Sequence, residues 1–372
     1  MLEKNPQLSL RVITTEVGDM LPIMKELLTN AVVKYVKKMV PEWHIAGAIE
    51  FNAALRAGRE QGFDDARLGH GDTAFLQYTG GTTGVAKGAV LTHGNMVVNL
   101  QQLSAWIAHD LIDGQETLVC PLPLYRVYAL TCSLVFMKIG AHAVLVTNPR
   151  DMHAFIHELK KHPFTVIIGV NTLYRALLDA PEFAEVDTRS LKVTNAGGMA
   201  VQRIVAERWK AATGVLIIES YGLSETSPGA ISNPLDTLEW NGTIGMPVPS
   251  TEAAVLDENG TEMPIGEVGE ICVRGPQVMP GYWNRPEETS KVFTCDGWLR
   301  TGDMGFMDER GYFKITDRKK DMIIVSGFKV FPNGSRMPSR CTPAWPRSPP
   351  SARPMHARAK WSRSWSCART RP

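Results

Sequence analysis

Tyr78-Thr79-Gly80-Gly81-Thr82-Thr83-Gly84-Val85-Ala86-Lys87-Gly88 is the most informative run in this chain. It packs four glycines, three threonines and a lysine directly behind the apolar run Ala74–Leu76. Glycine lets a backbone turn tightly and come close to a ligand. Successive free N–H groups in such a turn make an anion-binding nest, threonine hydroxyls add donors, and Lys87 adds a positive charge. The spacing is not GxxxxGK[ST], so this is no Walker A loop, and it is not the GxGxxG of a dinucleotide fold. A flexible Gly/Thr loop without a ligand is the alternative, and the density of donors beside a lysine weighs against it.

Outward from this loop the pattern is β/α. Short apolar runs at 117–120, 143–146, 166–170, 191–195 and 215–219 alternate with helix-like segments at 152–161 and 201–212. That rhythm predicts an α/β fold with a mostly parallel, helix-covered sheet. Past residue 250 the texture changes to short strands at 251–256, 267–274 and 311–315, with turn signals at 258–260 and 309–311, which predicts a β subdomain over about 250–316. Upstream, residues 20–40 have helical periodicity with several lysines, the pattern of an amphipathic surface helix.

The chain has 372 residues, 44% of them hydrophobic, enough for more than one domain. Its net charge of +2 hides an asymmetry. Residues 334–372 hold eight Arg, one Lys and no acid, which leaves about −7 on residues 1–333. This tail also has seven Pro and seven Ser and no hydrophobic period, so it is expected to be disordered. Two origins fit it: a shifted reading frame in a GC-rich gene, which its composition favours, or a genuine basic tail for an anionic surface. Met1-Leu2-Glu3-Lys4 does not open a signal peptide, and the longest apolar stretch, 130–146, is interrupted by Lys138 and His142. The six cysteines have no CxxC spacing and read as reduced thiols of a cytoplasmic protein.

Further motifs follow in order: Asn195-Ala196-Gly197-Gly198-Met199-Ala200, Tyr221-Gly222-Leu223-Ser224-Glu225-Thr226, Gly297-Trp298-Leu299-Arg300-Thr301-Gly302-Asp303 and Asp317-Arg318-Lys319-Lys320-Asp321. Together with the glycine-rich run they resemble the adenylate-forming superfamily of acyl-CoA synthetases, luciferase-like enzymes and nonribosomal adenylation domains. Residues 296–320, Pro121-Leu122-Pro123-Leu124-Tyr125 and Val170-Asn171-Thr172-Leu173 are most like long-chain fatty acid–CoA ligases. The resemblance implies ATP, Mg²⁺ and CoA, a fatty-acid substrate, and passage through acyl-AMP to acyl-CoA. It implies that Thr79, Gly80, Gly81, Thr82, Thr83, Gly84 and Lys87 cradle phosphates and that Gly197 and Gly198 lie on the adenine side. By the same resemblance Tyr221 covers the adenine face beside Gly222, Ser224 donates to the α-phosphate, Asp303 accepts the ribose hydroxyls, and Arg318 pairs with ribose or phosphate. Glu225, a carboxylate beside phosphates, implies Mg²⁺ held between it and ATP. The catalytic set so implied is Thr83, Lys87, Glu225 and Arg318, with Tyr125, Arg126 and Asn171 as acyl-site candidates.

Four departures qualify the resemblance. Ser224 stands where the family usually has Thr, keeping the hydroxyl. Arg126 stands where it usually has His, and a permanent cation there is expected to impair the acyl site. The likeness stops at Asn333, so residues 1–316 read as a partial large AMP-binding domain and 317–333 as the hinge and start of a small domain, which is otherwise largely missing. The chain also reads as beginning inside the large domain. An impaired ligase is expected, the alternative being a non-catalytic remnant that binds nucleotide or acyl groups. No nucleic-acid module is present in the sequence, the oligomeric state is not readable, and peripheral association with a membrane is compatible with a long-chain acid as substrate.

Overall fold

The computed structural model describes residues 11–79 and 86–318, with the backbone of two further strands at 323–325 and 328–330. It divides into two units, Met1–Leu68 and Gly69–Pro372. In the first, β1 (Ile13–Thr14) pairs in parallel with β2 (Ile49–Glu50). Between them lies α1 (Ile23–Ala31), continued by one π-helical turn, Val32–Val36; α2 (Phe51–Arg59) follows β2. The periodicity at 20–40 is thus a helix, and a surface one, since none of its residues is buried.

The second unit starts with a hairpin, β3 (Thr73–Thr79) against β4 (Lys87–Thr92). The glycine-rich run therefore joins two antiparallel strands, with Thr79 and Lys87 facing each other at its base. Thr92 and Asn95 cap α3 (His93–Ile107) reciprocally, which satisfies orphan N–H groups at the helix start.

Then comes the β/α rhythm: β5 (Thr117–Cys120), α4 (Val127–Lys138), β6 (His142–Leu145), α5 (Met152–Lys161), β7 (Val166–Gly169), α6 (Asn171–Asp179), β8 (Val193–Gly197), α7 (Arg203–Thr213) and β9 (Ile217–Gly222). β10 (Gly229–Ser232) and β11 (Met246–Pro247) extend the sheet antiparallel. The order is β11-β10-β9-β8-β7-β5-β6, and β6 through β9 are parallel. The expected helix-covered, mostly parallel sheet is what the chain forms.

Alternation along the strands divides the core. Leu118, Cys120, Val166, Ile168 and Val193 pack with Val135 and Phe136 of α4 on one face. Val119 and Ile167 point the other way, into a cluster with Phe155, Tyr174, Phe183 and Trp209. Buried on both faces, β7 reads as the unbroken apolar run Val-Ile-Ile-Gly. Trp209 stacks on Phe183 and meets Tyr174 edge-on at 5.3 and 4.8 Å, while its indole N–H donates to Thr194 at 3.0 Å.

The β-rich region is a four-stranded antiparallel sheet, β12 (Glu252–Leu256), β13 (Gly269–Arg274), β14 (Leu299–Met307) and β15 (Phe313–Arg318), with α8 (Pro286–Ser290) between β13 and β14. Asp257 and Asp308 each fold a turn by accepting backbone N–H bonds two and four residues on, and Gly260 and Gly311 follow at φ +87° and +82°. β16 (Ile323–Val325) and β17 (Phe328–Val330) pair antiparallel.

Candidate active site

Parallel strands end on the same edge of a sheet, and here that edge carries the motifs. β5 leads into 121–126, β7 into Asn171, β8 into Gly197 and Gly198, and β9 into Tyr221–Thr226. The strand order also reverses at β5, which has β6 on one side and β7 on the other. In open α/β sheets ligands bind outside the carboxyl ends at such a reversal.

Three candidate residues from three strands meet beside this edge. Tyr221 of β9 donates its hydroxyl to Asp303 Oδ2 at 2.6 Å. Arg318 of β15 lies opposite Asp303 of β14 in register and brings its Nε to 3.2 Å from Oδ1. Asp303 is 3% exposed, and its own N–H donates to Thr301 Oγ1. Burial, then the neighbouring Asp303 charge, pushes the Tyr221 phenol well above its ordinary pKa, so it stays protonated and can donate.

A second cluster links the glycine-rich hairpin to the Tyr-Gly-Leu-Ser-Glu-Thr segment. Lys87 pairs with Glu288 of α8, and its ammonium sits 5.3 Å from the centre of the Tyr282 ring. The Tyr282 hydroxyl donates to Glu225 Oε1 at 2.7 Å. Lys291 and then Lys87 hold the Glu288 carboxyl at about 2, well below the usual range. Burial and the Glu225 charge push the Tyr282 phenol upward. Neither Tyr282 nor Glu288 was anticipated from the sequence. Gly281-Tyr282-Trp283 has turn and aromatic character, but nothing in it announces contact with Glu225, 57 residues away. Lys87, expected to bring positive charge to phosphates, is paired with Glu288 in this structure.

Local backbone demands explain other motif positions. A Cβ on Gly222 would lie 1.8 Å from the Pro228 carbonyl oxygen, so only glycine lets the chain turn back there. Gly198 has φ +77°, and a Cβ on Gly197 would crowd the Tyr128 ring at 3.2 Å. Tyr128 donates to Asn195 Oδ1 at 2.6 Å, and Asn195 donates to Ser220 Oγ at 2.7 Å, which ties the ends of β8 and β9 together. Ser224 opens a short 3-10 turn, Ser224–Thr226.

The acyl-site candidates do not form one cluster of described contacts. Asn171 is buried at the start of α6, and its Oδ1 accepts the Gln202 N–H at 2.9 Å, a brace for the loop before α7. Tyr125 is 75% exposed, and Arg126 is the N-cap residue of α4. Gln77 of β3 donates to the Tyr125 carbonyl at 3.2 Å. Gly80, Gly81, Thr82, Thr83 and Gly84 lie outside the described residues, between Thr79 and Ala86. One carboxylate on the same strands was passed over: Glu219 of β9 accepts the Val201 N–H at 3.2 Å, and burial pushes it up to about 7.

A hairpin that carries Lys87, a buried aspartate tied to a tyrosine and an arginine, and a carboxylate at the carboxyl edge suit a nucleotide. Residues 3–283 match the family model described as AMP-binding enzyme, and the chain belongs to that family. Within it, 323 residues are 51% identical to a long-chain-fatty-acid–CoA ligase of Escherichia coli O6:H1, covering 87% of this chain and 57% of the relative. A long-chain-fatty-acid–CoA ligase of Bacillus subtilis is 43% identical over 263 residues, 70% of this chain and 46% of that protein. The chain thus spans about half the length of the curated relatives it matches. The crystal structure of ATP-bound MatB from Rhodopseudomonas palustris superposes with TM-score 0.70 at 29% identity, covering 90% of this chain and 65% of that one. O-succinylbenzoate coenzyme A synthetase from Bacillus subtilis in complex with AMP gives TM-score 0.65 at 27% identity, covering 78% and 59%.

Proposed function

We propose that this chain binds MgATP at the carboxyl edge of its sheet and activates a long-chain fatty acid as acyl-AMP, the first half of a fatty acid–CoA ligase reaction. The observation that carries the reading is the meeting of Tyr221, Asp303 and Arg318, because a buried carboxylate held by a donor and a cation is a preformed acceptor for a vicinal diol. The similarity to ligases of long-chain fatty acids supports a long-chain fatty acid as the substrate class.

In the proposed reaction a fatty carboxylate oxygen attacks the α-phosphorus. The bond from α-phosphorus to the bridging oxygen breaks, and pyrophosphate leaves with the electron pair. CoA sulfur then attacks the acyl carbonyl, the acyl–oxygen bond breaks, AMP leaves, and the thiol proton passes to solvent. Asp303 fixes the ribose and Arg318 lies next to it; the hairpin base at Thr79 and Lys87 brings donors to the phosphates. Positioning and charge neutralisation are the protein's main work in such chemistry. Glu225 fits Mg²⁺: only its Oε1 takes the Tyr282 hydroxyl, and a carboxylate has about four lone-pair sites. The ion would neutralise phosphate charge. Lys87 must exchange Glu288 for phosphate when nucleotide enters, so Glu288 competes with the substrate.

We further propose that thioester formation is weak in this chain. Arg126, the N-cap residue of α4, puts a fixed cation beside the loop that follows β5, where the family usually has His. We place the reaction in the cytoplasm, at the membrane surface into which long-chain acids partition. The test is oleate-dependent exchange of labelled pyrophosphate into ATP, run beside acyl-CoA formation. Exchange without matching acyl-CoA is expected, and Arg126→His should raise acyl-CoA formation. No oleate-dependent exchange by folded, nucleotide-binding protein would favour the reading as a non-catalytic nucleotide-binding remnant.

A further inference from the structure

α1 turns Glu26 and Asn30 toward the rest of its unit. Glu26 accepts a hydrogen bond from Asn52 Nδ2 at 2.9 Å, and Asn30 Oδ1 accepts the Gly18 N–H at 2.8 Å. The outer face is apolar: Ile23, Met24, Leu27 and Leu28 are 74, 79, 63 and 67% exposed, and Tyr35, Val36 and Met39 continue the stripe. Positions 24, 27, 28, 31 and 35 fall on one side of a helix. Lys25, Lys34, Lys37 and Lys38 are exposed around this stripe, and Glu26, the single acid between residues 20 and 40, is turned inward. Trp43, 54% exposed, follows shortly after.

An apolar stripe of this size left in water is unfavourable and marks a docking surface. Its charge selects the occupant. A second copy meeting it about a twofold axis would set the same patch against itself, lysines against lysines. An anionic bilayer answers both features, since it offers an apolar interior below a negative surface, and tyrosine and tryptophan sit well at the boundary.

We propose that residues 20–43 form a surface for anionic lipid, with Ile23, Met24, Leu27 and Leu28 entering the headgroup boundary and Lys25, Lys34, Lys37 and Lys38 facing lipid phosphates. The inference rests on the membrane part of the reading above and not on its ligase part.

The experiment is vesicle flotation of the full chain without ATP or fatty acid, so its failure leaves adenylation untouched. Vesicles of phosphatidylcholine alone are compared with equal parts phosphatidylcholine and phosphatidylglycerol. Binding is expected only to the mixed vesicles and should fall as salt rises. Lys34→Gln, Lys37→Gln and Lys38→Gln should each lower the partition about fivefold. Leu27→Gln with Leu28→Gln should remove it while circular dichroism is unchanged, both residues being exposed. No partition into either vesicle, equal partition into both, or variants that bind like the parent would overturn the proposal. A dimer in sedimentation that the leucine substitutions dissociate would overturn it too, by assigning the face to a second copy.

Discussion

Glu225 and Glu219 lie six residues apart in sequence, and their surroundings give them opposite tasks. Glu225 sits under the Tyr282 hydroxyl near Lys87, where a charged carboxylate is useful to a metal ion. Glu225→Gln should raise the Mg²⁺ concentration needed for half-maximal pyrophosphate exchange, because an amide is the poorer ligand; an unchanged titration would remove Glu225 from the metal site. Glu219 is pushed up to about 7 from 4.5 by burial, with the Val201 N–H pulling weakly the other way. Between those values the folded state holds a proton that the unfolded state has lost, so stability falls as pH rises through that window. The ionised form costs roughly 3 kcal/mol at most above it. Glu219→Gln should therefore resist urea better than the parent at pH 8 and equally near pH 4, below the window. A difference independent of pH would mean that the carboxylate is not the cause. Nothing in the sequence around Glu219 marks it, because an apolar strand with one glutamate gives no sign of which face the glutamate takes.

Among elements, the strand ends matter most. β9 reverses at Gly222 within touch of the Pro228 carbonyl, and the same strand carries Tyr221 to Asp303. Gly222→Ala should cost about 3 kcal/mol in urea unfolding, the scale of forced overpacking against rigid backbone, and should loosen nucleotide binding with it. A stability matching the parent would mean that the turn can move aside. The link from β4 to α8 makes a second expectation: Glu288→Gln frees Lys87 and should tighten MgATP binding severalfold in a calorimeter, whereas weaker binding would make Glu288 part of the site. The parallel strands were legible because buried runs such as Val166–Gly169 are bounded by turns. β3 and β4 were not, since their pairing depends on a partner across the glycine-rich loop and not on local pattern. β14 also escaped notice: its stretch Leu299–Met307 contains two glycines and an aspartate, residues that argue against a strand. It is a strand because β13 and β15 pair with it on both sides.

At the scale of the molecule, much of the candidate site could be listed from the sequence, but its wiring could not. Tyr221, Asp303 and Arg318 were each singled out, and they meet. That Lys87 and Glu225 are joined through Tyr282, and that Glu288 occupies Lys87, depends on long-range packing between the hairpin and the 280–290 segment. Asn171 shows the converse, a residue marked for the acyl site whose oxygen braces the loop before α7. On our proposal the Tyr221–Asp303–Arg318 cluster is half of a nucleotide site. Calorimetric titration of the folded chain with AMP and with MgATP, repeated on Asp303→Ala, tests it most directly. One-site binding that the substitution weakens by about tenfold or more, the loss of a charge-assisted hydrogen-bond acceptor, is the predicted result; no binding by the folded parent, or equal affinity in the two proteins, would contradict it.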